Sequence, residues 1–228
     1  MIASNLQALR RRIVAAAERA HRPASDVTLV AVSKTFPVES IREAVDAGQR
    51  VFGENRVQEG LEKVEALKAL DLEWHLIGHL QSNKARKAAA AFAWIESVDS
   101  IELLRKIDAA AHEAGATPRV LVQADLAHET TKHGVDERAL GDLVRAALDA
   151  RAVQLCGLMI VPPIPERPED SRPWFVRLRA TRDELVSGGV PADRLAHLSM
   201  GMSHDFEVAI EEGATIVRVG SAIFGSRA

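Results

Sequence analysis

The chain has 228 residues, 47% of them hydrophobic and 27% charged, with a formal net charge of −3. That length suits one large domain or two small ones and can bury roughly 70% of the unfolded surface, while the near-neutral balance argues against a protein devoted to neutralising nucleic-acid phosphates. No apolar run approaches a membrane span, and the single cysteine, Cys156, excludes an internal disulfide framework or a multi-cysteine zinc site and fits a reducing, cytoplasmic compartment.

The first 22 residues carry five Arg and one Glu, a composition that can be mistaken for a transit peptide. The pattern favours a native helix instead. Ser4 followed by Gln7 has the spacing of a capping box, and Leu6, Leu9, Ile13, Ala16 and Ala17 recur at helical spacing. Next comes a mostly apolar stretch, residues 27–33, which reads as a parallel strand buried on both faces and runs into Lys34, with Pro37 breaking the chain soon after. Period-two alternation puts Val30, Val32 and Lys34 on one face, so the amine projects from an apolar surface. Desolvation disfavours the ammonium form, and a lysine pushed towards its free amine is a nucleophile for aldehydes; the bland alternative is a lysine that snorkels to solvent at a strand end.

From there short apolar runs alternate with segments of helical period to the end of the chain. Eight strands are predicted, at residues 27–33, 50–53, 73–77, 94–98, 119–124, 153–160, 194–199 and 215–219. Helices are predicted between them at 39–47, 56–70, 83–91, 101–114, 137–150, 173–187 and 204–212, with Gly48, Gly115 and Gly213 closing three of them. This is the signature of an α/β protein, and the strand count favours a closed, single-domain (β/α)₈ TIM barrel with an extra N-terminal helix over an open doubly wound sheet. The proline-rich residues 164–173 read as one long loop between the sixth strand and its helix, not as a domain boundary.

In such a barrel all strand C-termini share one rim, and the residues predicted there include Lys34, Glu54, Asn55, His79, Asp99, Asp125, Met159, Ser199, Arg218, Gly220 and Ser221. The turns after the seventh and eighth strands are rich in small residues, and their amides and hydroxyls can face an anion. Gly201 and Gly220 permit close backbone approach there, while Ser199 and Ser221 offer hydroxyls. Arg218, between Val217 and Val219, shares a face with Ile216 and Gly220; its guanidinium needs a partner, either an inward carboxylate or a ligand. His75 and His79 have the spacing of a helical zinc pair but lie in a strand and its turn with no glutamate between them, which argues against metal binding, and no metal site is expected. Lys84, Arg86 and Lys87 read as a solvated helix face. Walker A and GxGxxG sequences are absent, and the start of a GxSxG elbow at Gly201 fails at Asp205.

The segments AVSKTFP, FGENRVQE, WHLIGHLQSNK, GLMIVPP and LSMGMSHDFEVAIEEGATIVRVGSAIFG resemble, in order and across nearly the whole chain, the pyridoxal phosphate homeostasis (YggS/PROSC) family. The resemblance implies a fold-type III barrel related to the N-terminal domain of alanine racemase, with pyridoxal 5′-phosphate bound as an imine to Lys34. It further implies that Ser199, Met200, Gly201, Gly220 and Ser221 hold the phosphate, that Arg218 faces the pyridine nitrogen and that Asn55 lies beside the cofactor. Arg56 and His79 depart from the family pattern, standing where many members have Tyr and Pro. No tyrosine occurs in the chain, so the tyrosine base that alanine racemase draws from its C-terminal domain has no counterpart here, and an arginine on the pyridine nitrogen weakens the ring as an electron sink. The expectation is a monomeric carrier that buffers the cofactor and passes it, by transient contact, to pyridoxal-dependent enzymes, without nucleic acid or membrane partners. A weak amino-acid racemase or related pyridoxal enzyme, with Lys34 as one base and His79 or another rim residue as the other, is the alternative.

Overall fold

The structure, a computed structural model, describes residues 1–127 and 133–225. Nine strands follow one another among these residues as β1 (Thr28–Val32), β2 (Val51–Glu54), β3 (Glu73–Leu76), β4 (Trp94–Val98), β5 (Arg119–Asp125), β6 (Val135–Asp136), β7 (Gln154–Ile160), β8 (His197–Ser199) and β9 (Ile216–Val219). Every pairing among them is parallel. β1 pairs with both β2 and β9, and β4 pairs with β5, so eight of the strands close into a barrel. The ninth, β6, is two residues long and hangs on the end of β5 through Ala124 and Val135. It is too short to leave a period in the sequence, which is why it was not anticipated.

Among the described residues nine helices surround or flank the barrel: α1 (Ile2–Arg19), α2 (Val38–Asp46), α3 (Val57–Ala66), α4 (Ala85–Ala91), α5 (Ile101–Ala114), α6 (Glu137–Leu148), α7 (Arg172–Ser187), α8 (Phe206–Glu211) and α9 (Ser221–Phe224). Each βα unit buries an apolar stripe of its helix on the outer face of the sheet, which is what drives strand and helix to alternate. α1 lies outside this alternation and packs Leu6, Leu9, Ile13, Ala16 and Ala17 against α2, α8 and α9. It starts earlier than the Ser4 capping pattern predicts, because Ile2 is buried and its N–H donates to Glu43 Oε1 of α2 at 3.0 Å. Ser4 Oγ donates instead to the Met1 carbonyl at 2.8 Å. Tertiary contact has overridden the local cap.

Inside the barrel, Val30, Trp94, Leu121, Cys156, Met159 and Ile216 form a small apolar cluster distinct from the larger sheet-on-helix core. Cys156 is thus an interior packing residue, and burial raises its thiol pKa. Gly53 faces the same interior, where an added Cβ would meet Val30 Cγ1 at 2.7 Å. The proline-rich stretch does form the connection between β7 and α7, with one 3₁₀ turn at Pro168–Ser171.

Candidate functional site

A cavity of about 380 Å³ opens at the C-terminal rim of the barrel, with Val32 of β1 and Ile77, just past β3, among its walls. Five of the residues singled out in the sequence line it: Lys34, Asn55, Arg218, Gly220 and Ser221. The turn after β8 adds Met202, Ser203 and His204, and the β7–α7 connection adds Val161, Ile164 and Pro165. A mostly apolar wall with a few convergent polar groups is the usual form of a small-molecule site.

Lys34 is half-buried, two residues beyond the end of β1. The turn that carries it is held from behind by ionic groups rather than by packing alone. Lys63 of α3, almost fully buried, donates through Nζ to the Ser33 carbonyl, to Glu54 Oε1 and to Glu59 Oε1, each at 2.7 Å. Ser33 Oγ donates to Glu54 Oε1 at 2.6 Å, and the N–H of Thr35 donates to Glu59 Oε1 at 2.5 Å. Thr35 has φ +68°, an uncommon conformation for a β-branched residue that persists only when its surroundings enforce it. Here the Glu59 carboxylate does so. Glu54 is fully buried on the side of β2 away from the cavity, and its Oε2 has no hydrogen-bond partner. Burial raises its pKa, against the opposing pull of Lys63. Phe36 stacks on the buried Phe224 of α9 with ring centroids 5.0 Å apart, tying the Lys34 turn to the Ser221 segment.

Arg218 reaches the cavity from β9 and is 4% exposed. It meets both of the needs the sequence left open, because it lines the cavity and also has an inward carboxylate, Glu96 Oε2 at 3.9 Å. Nη2 donates to the Ile160 carbonyl at 2.8 Å and Nη1 to Ser199 Oγ. Behind them, Glu96 Oε1 lies 2.6 Å from His75 Nδ1, and His75 Nε2 lies 3.2 Å from Glu73 Oε1. β4 and β8 are not sheet neighbours, so the bond from Ser199 to Glu96 crosses the barrel interior. Burial would lower the His75 pKa and raise that of Glu96; hydrogen bonds to Glu73 and Glu96 outweigh burial at His75, and the bond to His75 does so at Glu96, leaving His75 raised and Glu96 lowered. Burial pulls the Arg218 pKa down, opposed by Glu96 and Asp205.

The small-residue turns divide differently from the sequence grouping. Ser199, Met200 and Gly201 are buried and are not among the residues that line the cavity. Ser199 has its hydroxyl committed to Glu96 and Arg218. Gly201 has φ +93°, an added Cβ would lie 2.5 Å from Ala209 Cβ, and its carbonyl accepts from the Arg218 N–H at 3.0 Å. These residues shape the turn from beneath, while the hydroxyl facing the cavity from this side is that of Ser203, whose Oγ also accepts from the Gly220 N–H at 3.4 Å. Gly220 closes against β1, where a Cβ would meet the Val32 carbonyl at 3.1 Å. Asp205 fixes the turn by accepting from the Met202 N–H and from Ser171 Oγ, both at 2.7 Å. His79 does not line the cavity; the histidine that does is His204, exposed at the rim. Sequence reading missed Ser203 and His204, which stand in the right segment but in no pattern, and Lys63, whose only signal was a glutamate four residues earlier on the same helix face.

Over residues 4–228 the chain matches the family described as alanine racemase, N-terminal domain. It is 49% identical over 216 residues to the pyridoxal phosphate homeostasis protein of Aquifex aeolicus, covering 95% of this chain and 94% of that one. The chain belongs to the pyridoxal phosphate homeostasis family. A second member, from Escherichia coli, is 40% identical over 232 residues, which span 99% of this chain and 97% of its own length. Among solved structures, PipY of Synechococcus elongatus with pyridoxal phosphate bound superposes with a TM-score of 0.86 at 42% identity, covering 99% of this chain and all of that one. Alanine racemase of Streptomyces coelicolor shares the fold, with a TM-score of 0.73 at 23% identity over 97% of this chain and 59% of the racemase. This member of the homeostasis family therefore has the fold-type III barrel that its segments implied.

Proposed function

We propose that this chain holds pyridoxal 5′-phosphate through Lys34 and acts in vitamin B6 homeostasis, buffering the reactive aldehyde and passing it to enzymes that need it. The observation that carries the reading is the convergence, in one cavity, of a half-buried primary amine, a buried guanidinium and a glycine-and-serine turn pair. The group fits these residues. A primary amine suits an aldehyde, Arg218 is a donor-only partner for a ring nitrogen, and the Ser203, Gly220 and Ser221 segments offer hydroxyls and a backbone cleared of Cβ atoms for a phosphate. When bound, the cofactor supplies an electrophilic carbonyl carbon; attachment joins it to Lys34 Nζ with loss of water.

Release needs only water or an incoming amine at that carbon, and a rim cavity admits both. Arg218, already donating to Ser199 and Ile160, has further N–H donors for the ring nitrogen and no acceptor, so it holds the ring without protonating it readily. That favours a carrier over a carbanion-forming enzyme. One observation favours the enzyme reading: His204 lines the cavity together with Lys34, giving two groups able to exchange protons. Loss of isotopic label from the α-carbon of an amino acid, abolished in His204→Ala, would establish that activity.

The test of binding is the visible absorbance of protein incubated with pyridoxal phosphate, before and after borohydride. A band that reduction abolishes, mass added at Lys34, and neither in Lys34→Ala, is the expected result. A band that survives in Lys34→Ala overturns the assignment.

A further inference from the structure

We propose that His79, Asp99 and His133 form a site for one divalent transition-metal ion of the zinc class, on the barrel rim beside the cofactor cavity. The three residues come from adjacent segments of the sheet. His79 follows β3, Asp99 follows β4, and His133 leads into β6 on the end of β5. One ligand atom from each lies within 4.8 Å of the other two. His79 Nδ1 is 3.3 Å from Asp99 Oδ2, and the rings of His79 and His133 are parallel within 12° at a centroid separation of 3.6 Å.

Zinc ligands at ~2.0–2.1 Å in a tetrahedral arrangement stand roughly 3.3–3.4 Å apart, so the His79–Asp99 pair already has the spacing of two ligands on one ion. The third ligand closes the set by rotation of an exposed side chain, His133, whose backbone is pinned because its carbonyl accepts from the buried Gln123 Nε2 at 2.5 Å. Two imidazoles and one carboxylate suit zinc, cobalt or nickel; calcium and magnesium prefer oxygen donors. Three protein ligands leave a position for water or an incoming group. Without a metal, two parallel exposed imidazoles gain little from stacking in water, whereas a shared cation neutralises Asp99 and gives the alignment a purpose. The sequence reading weighs His79 only as a pair with His75 and expects no metal; in the structure His75 is enclosed with Glu96 and takes no part in the cluster. What it could not show is that the partners come from other strands.

None of the three lines the cofactor cavity, so metal binding can be measured independently of pyridoxal phosphate. Untagged, chelator-stripped protein is titrated calorimetrically with zinc chloride and, separately, followed by the visible spectrum with cobalt(II). One saturable site is expected, weakened at least tenfold in each of His79→Ala, His133→Ala and Asp99→Asn, and unchanged in Cys156→Ser. Thermal melts of the two metal-free histidine variants should match that of the parent, since His79 and His133 are exposed. Absence of a saturable site, or a site of equal affinity in the histidine variants, overturns the proposal.

Discussion

Arg218 Nη1 donates to Ser199 Oγ at 2.5 Å, and the same hydroxyl donates onward to Glu96 Oε2 at 2.5 Å. Ser199 therefore orients the guanidinium, while Ser203 is the serine of this turn that lines the cavity, where the proposed reading puts a phosphate. The two serines should separate by ligand. Ser203→Ala is expected to weaken pyridoxal phosphate several-fold and to leave pyridoxal, which lacks the phosphate, unaffected. Ser199→Ala should weaken both alike and cost about 1–3 kcal/mol of stability, because it strands buried partners. Spectral titration with the two aldehydes decides; equal behaviour of the variants would refute the division.

Removing the charge of Glu96 leaves Arg218 buried without its carboxylate, so Glu96→Gln should lower stability in urea by roughly 3–5 kcal/mol. A pH dependence accompanies it. The His75 pKa is raised, so its contribution is complete below the unfolded value near 6.5 and is lost as pH rises through the higher folded value. The Glu96 pKa is lowered, so its contribution is complete above the unfolded value near 4.5 and is lost as pH falls through the lower folded value. The stabilisation from this pair should be greatest between those two values, and His75→Gln should flatten that maximum in urea unfolding followed from pH 4 to pH 9. An unchanged profile in His75→Gln would count against the coupling.

The Lys34 turn is strained at Thr35 and clamped by Lys63. Thr35→Gly relieves about 1–2 kcal/mol of backbone strain but gains unfolded-state freedom worth about 0.5–1 kcal/mol, so stability should change by less than about 1 kcal/mol. The rate of band formation with pyridoxal phosphate should nonetheless fall, because the amine is no longer held. Lys63→Met removes the cation shared by Glu54 and Glu59 and should cost about 3–5 kcal/mol. Stopped-flow absorbance and urea melts report the two effects separately; an unaltered rate in Thr35→Gly would show that the strain does not serve the lysine.

Two glycines at positive φ should respond unequally to alanine. Gly201 has φ +93° with Ala209 Cβ 2.5 Å from an added methyl, whereas Gly115 has φ +64° and open space around it. Gly115→Ala should cost about 1 kcal/mol, the conformational term alone. Gly201→Ala adds a core clash worth about 1–3 kcal/mol more and should displace Arg218 through the Gly201 carbonyl, lowering cofactor affinity as well. Paired melts and titrations test both halves.

What the sequence made legible was whatever broke a pattern. Lys34 and Arg218 stand out because charged side chains interrupt apolar strands, and both line the cavity. Gly48, Gly115 and Gly213 mark helix ends and do adopt positive φ. The sequence reading takes Ser199 and passes over Ser203, since a turn of small residues does not reveal which hydroxyl faces the cavity. Lys63 looked like any surface lysine of an amphipathic helix until β2 supplied Glu54 behind it. His133 could join His79 only once the barrel was closed, because strand spacing carries no information about neighbours across a rim.

Closure also sets an order of events. Val30 of β1 is in register with Arg218 of β9, so the strand leading to Lys34 pairs with one made 188 residues later. A nascent chain lacking β9 presents a lysine with no guanidinium beside it and no wall to exclude bulk water. On the proposed attachment at Lys34, capture of the aldehyde therefore waits for the finished fold, since the cavity needs both β1 and β9.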